Sequence, residues 1–183
     1  WGEDKEISLE TLKTVKSPKD AFFPQSENLY TCNQDKNKIS ITPEELQNKE
    51  FVVFGMKACD VRGVEVLDKV FLADPVDTFY AARREHGIIV ALACGEPEES
   101  CFCKAFGIDC ANPGADVSIW MKDEFIYWQS NTDKGNKLTD AVKEAEFVVF
   151  KSAIEGGGSV RCINAKGLAD KLTRKEIDKL VEV

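Results

Sequence analysis

The chain has 183 residues and a mass of 20.4 kDa, is 43% hydrophobic and 31% charged, and carries a net charge of −8. That is the size and composition of one globular domain, residues 1–183, with an ample core. A pI near 4.9 excludes a phosphate-backbone binder, which needs a basic surface, and no apolar run reaches the roughly 18 residues of a membrane helix. Seven cysteines, an odd number, accompany this core. With no export leader visible in Trp1-Gly2-Glu3-Asp4-Lys5, they fit a reducing cytoplasm and metal-binding or buried thiols, not a disulfide scaffold.

In chain order, Ile7-Ser8-Leu9-Glu10-Thr11-Leu12 reads as a short helix. Residues 17–27 place two prolines around Phe22 and Phe23 and read as an ordered, packed loop. Leu29-Tyr30-Thr31-Cys32 and Lys38-Ile39-Ser40-Ile41 are strands of a hairpin. Thr42-Pro43-Glu44-Glu45 has the signature of a helix start: a Thr cap, Pro at the first helical position and acids in the first turn. Phe51-Val52-Val53-Phe54-Gly55 is a buried strand. Val64, Leu67, Val70 and Phe71 then recur at helical spacing, with Asp60 as cap and Cys59 just before the helix. A second helix covers 77–85, and Ile88-Ile89-Val90-Ala91-Leu92 is the second buried strand.

Strand, helix, helix, strand predicts parallel strands joined by a helical crossover. Beyond them, 106–114 is a loop, Ser118-Ile119-Trp120-Met121 and Phe125-Ile126-Tyr127-Trp128 form a hairpin, and 138–146 is a helix. Residues 147–150 read as a strand or a continuation of that helix, Gly156-Gly157-Gly158 as a turn, and 168–180 as an amphipathic helix. The expected fold is α/β, a central, mainly parallel sheet with helical crossovers and an added β-hairpin.

The chemistry concentrates in Ala93-Cys94-Gly95-Glu96-Pro97-Glu98-Glu99-Ser100-Cys101-Phe102-Cys103, directly after the second buried strand. Cys59 holds the equivalent place after the first. Ends of parallel strands lie side by side, so Cys59 is within reach of Cys94, Cys101 and Cys103. Four thiolates from two strand ends make an iron–sulfur or zinc ligand set. Zinc knuckles usually space their cysteines by two to four residues, which Cys101-Phe102-Cys103 does not. Cys32, Cys110 and Cys162 are scattered and read as structural. The glycine run lacks the Gly-Lys-Ser/Thr ending of a phosphate loop. Arg83-Arg84 beside His86 reads as a solvated helix end, and a single histidine supports no hydrolytic triad.

Three ordered motifs carry a resemblance: Ser17-Pro18-Lys19 with Phe23-Pro24-Gln25, Phe54-Gly55-Met56-Lys57-Ala58-Cys59-Asp60, and Ala93-Cys94 through Cys101-Phe102-Cys103. Over roughly residues 17–110 the chain resembles the iron–sulfur β subunits of cytoplasmic nickel–iron sulfhydrogenases and the corresponding iron–sulfur subunits of anaerobic sulfite reductase. The resemblance implies an electron-relay module, a 4Fe–4S cluster, and partners that include a flavin subunit together with a catalytic subunit. In that family a ferredoxin-like domain with two further clusters follows; its Cys-x-x-Cys-x-x-Cys run is absent from this chain. Catalysis by the chain's own side chains is not implied. Two alternatives remain: an apo docking module for a redox partner, and a thiol-dependent enzyme using Cys94 or Cys59.

Overall fold

The computed structural model describes residues 16–36, 38–122, 125–144, 151–152 and 161–164. The expected elements at 7–12, 147–150, 156–158 and 168–180 lie outside them.

Two strands, β1 (Tyr30–Asp35) and β2 (Lys38–Pro43), pair antiparallel in a sheet of their own. The remaining elements are β3 (Phe51–Met56), α1 (Ala58–Phe71), α2 (Thr78–His86), β4 (Gly87–Leu92), β5 (Val117–Lys122), β6 (Phe125–Ser130), α3 (Asp133–Glu144), β7 (Lys151–Ser152) and β8 (Arg161–Asn164). Their six strands form one sheet in the order β3-β4-β5-β6-β8-β7. β3, β4 and β5 run parallel as neighbours, and the pairs from β5 onward are antiparallel. The fold is α/β. The predicted crossover from β3 through two helices to β4 is present, and the aromatic hairpin of β5 and β6 extends the same sheet.

All six residues of β4 are buried. Successive side chains of a strand alternate faces, and here each face has a cover. Ile88, Val90 and Leu92 pack with Val117, Ile119, Ile126, Trp128 and Leu138 of α3. Ile89 and Ala91 pack on the other side with Met56, Val61, Val64, Tyr80 and Phe22. A continuous apolar run is what a parallel strand buried on both faces requires. Each such large side chain contributes about 1.5–3 kcal/mol on burial. Trp128 satisfies its indole N–H on Thr139 Oγ1 at 2.9 Å, and that hydroxyl donates to the Gly135 carbonyl at 2.6 Å.

The proline-bracketed loop is packed, as expected. Ser17 caps a 3-10 turn over Pro18–Ala21, which delivers Phe22 fully buried into the core, while Phe23 stacks on Phe71 with ring centroids 4.3 Å apart.

Four local expectations are corrected. The run 51–55 is a strand but not a buried one: β3 lies at the edge of the sheet with β4 as its one neighbour among the described residues, so Phe51, Val52 and Val53 are half-buried and Phe54 is exposed. No helix starts at Thr42: β2 runs through Pro43, Thr42 pairs with Thr31, and the Glu44 N–H donates to the Leu29 carbonyl at 3.0 Å. The hairpin's long-range pairing overrides the local cap signal. Asp60 does not cap α1. Lys57 holds the cap position without a side-chain bond, and Asp60 sits in the first turn paired with Lys19 Nζ at 2.5 Å. The arginines are not a solvated helix end. Arg83 Nε donates to the Phe22 carbonyl at 2.7 Å and its guanidinium pairs with Glu27. Arg84 grips both oxygens of Asp68 at 2.7 and 2.9 Å.

Candidate functional site

The parallel pairing of β3 and β4 sends both strands out at one end of the sheet. Cys59 follows β3 as the second residue of α1, inside its first turn rather than before it. Cys94 lies two residues beyond β4. The chain leaving β4 stays fastened: the Ala93 N–H donates to the Ile119 carbonyl at 2.9 Å, and the Cys94 N–H donates to the Cys110 carbonyl at 3.0 Å. Between these anchors the loop forms two turns. The Cys101 N–H bonds the Glu98 carbonyl at 2.9 Å, and the Glu98 N–H points back to Cys101 Sγ at 3.3 Å. Cys103 opens a 3-10 turn, Cys103–Phe106, closed by Gly107 at φ +64, a backbone angle that favours glycine. The Ile108 N–H returns to the Cys103 carbonyl at 3.0 Å, and Trp120 Nε1 holds the Ala111 carbonyl at 2.6 Å.

Cys59 and Cys101 are exposed, while Cys94, Cys103 and Cys110 are half-buried. The group is linked electrostatically. Although Cys59 is exposed as a residue, the partial desolvation of its sulfur pushes the thiol up, as do Asp60 and then Cys103 and Cys94, against a backbone hydrogen bond from Asp60. Burial also raises Cys94; the Lys57 ammonium opposes this, and Cys110, Cys103 and Cys101 reinforce it. Lys57 is half-buried, so its charge acts on Cys94 with less screening than in open water. Charge interactions thus connect Cys59 with Cys103 and Cys94, and Cys94 in turn with Cys101 and Cys103. Cys110, set apart as structural, belongs to the same neighbourhood. Its only sequence signal was its place seven positions past Cys103.

The other two thiols stand apart. Cys32 is exposed in the separate two-stranded sheet, where it opposes Ile41. Cys162 pairs with Tyr127 through β8, and its side chain is outside the described residues.

A cleft of about 300 Å³ separates the start of α1 from the 106–113 loop, lined by Ala58, Val61, Arg62 and Glu65 on one side and Phe106, Ile108 and Asp109 on the other. Phe102 and Phe106 flank Cys103, exposed, with ring centroids 5.6 Å apart. Among the described residues no three His, Cys, Asp or Glu form a group that could hold a single metal ion. A cluster distributes its ligands over several irons, so its thiols do not need to meet at one point. The donor set of soft thiols, with an N–H aimed at one sulfur and a cation beside another, fits an anionic iron–sulfur group.

A nucleophilic role for these thiols fits less well. Catalytic cysteines are activated by a lowered pKa, and both Cys59 and Cys94 are raised. His86 ends α2 just before β4, with Nδ1 2.9 Å from the Ala82 carbonyl. Cys94 follows the far end of that six-residue strand, about 20 Å away along the sheet.

Among the described residues no helix is long and apolar enough to cross a membrane. No protein-family model matches the chain, and no solved structure does. Sulfhydrogenase 2 subunit beta of Pyrococcus furiosus is 31% identical over 176 residues, 91% of this chain and 51% of that subunit. The chain therefore spans about half the length of this relative. Aspartate–tRNA ligases match a shorter piece: 62% identity over 45 residues for Clostridium botulinum and 56% over 45 residues for Caldanaerobacter subterraneus, each 25% of this chain and 7% of the ligase. A stretch that short carries no synthetase chemistry to this chain. The likeness over nearly the whole chain supports the hydrogenase β-subunit family.

Proposed function

We propose that this chain is an iron–sulfur electron-transfer module of a hydrogenase-type oxidoreductase complex in an anaerobic cytoplasm. Cys59, Cys94, Cys101 and Cys103 hold a 4Fe–4S cluster. The observation that carries this reading is the parallel pairing of β3 and β4, which sets Cys59 after one strand and Cys94 after its neighbour at the same end of the sheet. The likeness to a hydrogenase β subunit supports it.

When bound, the cluster supplies one-electron chemistry. The chain supplies the rest. Four cysteines give thiolate ligands, the Glu98 N–H donates to Cys101 Sγ, and Lys57 places positive charge beside Cys94. Hydrogen bonds to sulfur and nearby charge are the protein's means of setting the potential. The partners are a flavin subunit on one side and a catalytic subunit on the other, of hydrogenase or sulfite reductase type.

The test is replacement of Cys101 by Ala after anaerobic loading with iron and sulfide. Iron content and dye reduction by the assembled complex should fall together, with the far-UV circular dichroism retained, because the core is independent of the site. Cys32→Ser serves as the control and keeps its iron. Undiminished dye reduction by an iron-free Cys101→Ala protein would end the relay reading in favour of a docking scaffold.

A further inference from the structure

The site holds one thiol more than a four-iron cluster uses. Cys110 is not loosely placed: its carbonyl accepts from the Cys94 N–H at 3.0 Å, and its neighbour Ala111 is held by Trp120 at 2.6 Å. Asp109 adds a turn bond to the Ala111 N–H at 3.0 Å. Cys94, Cys101, Cys103 and Cys110 all belong to one hydrogen-bonded loop between β4 and β5. Cys59 alone comes from another element, α1, whose first turns are separated from the 106–109 side of that loop by the cleft of about 300 Å³. Cys59 is also exposed, whereas Cys110 is half-buried.

We propose that Cys110 is a reserve ligand of the same cluster site, able to take the iron that Cys59 serves when Cys59 is withdrawn. The inference rests on the four-cysteine cluster reading under Proposed function. The exchange is a ligand substitution. One iron–sulfur bond to Cys59 breaks, one to Cys110 forms, and the proton leaving Cys110 is taken up by Cys59 or solvent. Iron and sulfide keep their oxidation states.

Three variants decide it: Cys59→Ala, Cys110→Ala and the double variant, each loaded anaerobically under reductant. Iron content and visible absorbance are read beside far-UV circular dichroism. The expected result is that either single variant keeps its cluster, while the double variant binds iron about ten-fold or more weakly. Alkylation of the loaded proteins gives a second readout: Cys110 is modified in the parent and protected in Cys59→Ala. Should Cys59→Ala fail to fold, Cys59→Ser takes its place. A Cys59→Ala protein as empty of iron as the double variant overturns the proposal. So does a Cys110→Ala protein that loses its cluster, because Cys110 is then an obligatory ligand. A parent protein that binds no iron overturns the cluster reading itself, a result distinct from both.

Discussion

The backbone N–H of Cys94 donates to the carbonyl of Cys110 at 3.0 Å. This single bond joins the start of the cysteine loop to its far end and brings Cys110 back beside Cys94. Its partner in fastening the loop is the Trp120 indole on the next carbonyl, that of Ala111.

Trp120→Phe should therefore loosen the Cys110 corner while leaving most of the ring's packing. One lost hydrogen bond predicts about 1 kcal/mol of destabilisation. It also predicts faster hydrogen exchange at the Cys94 amide than in the parent. Unchanged exchange there would show that the loop is held without the indole.

In the cluster-free protein the thiols should be slow nucleophiles at neutral pH. Burial raises Cys94 and Cys59 above the ordinary thiol value, and the thiolate is the species that alkylates. Iodoacetamide should modify Cys94 more slowly than a free cysteine at pH 7, with the rate climbing above the usual thiol range. Lys57→Gln removes the opposing charge and should slow the reaction further. The folded state keeps these protons longer than the unfolded chain, so the two thiols lower stability as pH rises through the unfolded value.

The Asp68 network gives stability an acid limb. Asp68 accepts from Arg84 at 2.7 and 2.9 Å and from the Tyr80 hydroxyl at 2.7 Å. Burial alone would raise its carboxyl, but these hydrogen bonds win and hold it below the ordinary value; burial and then the Asp68 hydrogen bond push Tyr80 up, and the Asp68 hydrogen bond pushes Arg84 up. The stabilisation is complete above the unfolded aspartate's pKa and is lost as pH falls through the folded one. Asp68→Asn should cost about 2 kcal/mol near neutrality and flatten the acid limb of a denaturation series. A parent-like slope at low pH would contradict this.

Gly87 sits where α2 passes into β4. A Cβ there would meet a Phe22 ring carbon at 2.3 Å, and the Arg83 carbonyl and a Phe51 ring carbon at 2.9 Å. Backbone φ is −81, so the constraint is space rather than conformation. Gly87→Ala should cost about 1–3 kcal/mol by overpacking, measured as a lower urea midpoint with the same slope. A neutral result would mean that Phe22 can swing aside.

Much of this fold is written in short-range pattern. The run 88–92 is continuous and apolar because β4 is covered on both faces, and such a run announces itself; the run 51–55 has the same pattern, yet β3 lies at the sheet edge, half-buried with Phe54 exposed. Asp77 caps α2 through its carboxylate on the Tyr80 N–H at 2.9 Å, again a local signal. The positions of Cys94, Cys101 and Cys103 behind one strand and of Cys59 behind its parallel neighbour put these candidate thiols at one end of the sheet, and that was legible in the sequence.

What the tertiary structure decided was long-range. Thr42 to Glu45 carry a helix start, yet cross-strand pairing with Thr31 keeps Thr42 in a hairpin, because inter-strand bonds outweigh one local cap. Arg84 finds Asp68 only when α2 packs against α1, and Arg83 finds the Phe22 carbonyl only when the 17–27 loop folds under the sheet. Cys110 looked like an isolated thiol because no spacing rule ties it to Cys94. Their bond exists because the loop after β4 must return to start β5 beside it, and that return brings residue 110 back against residue 94.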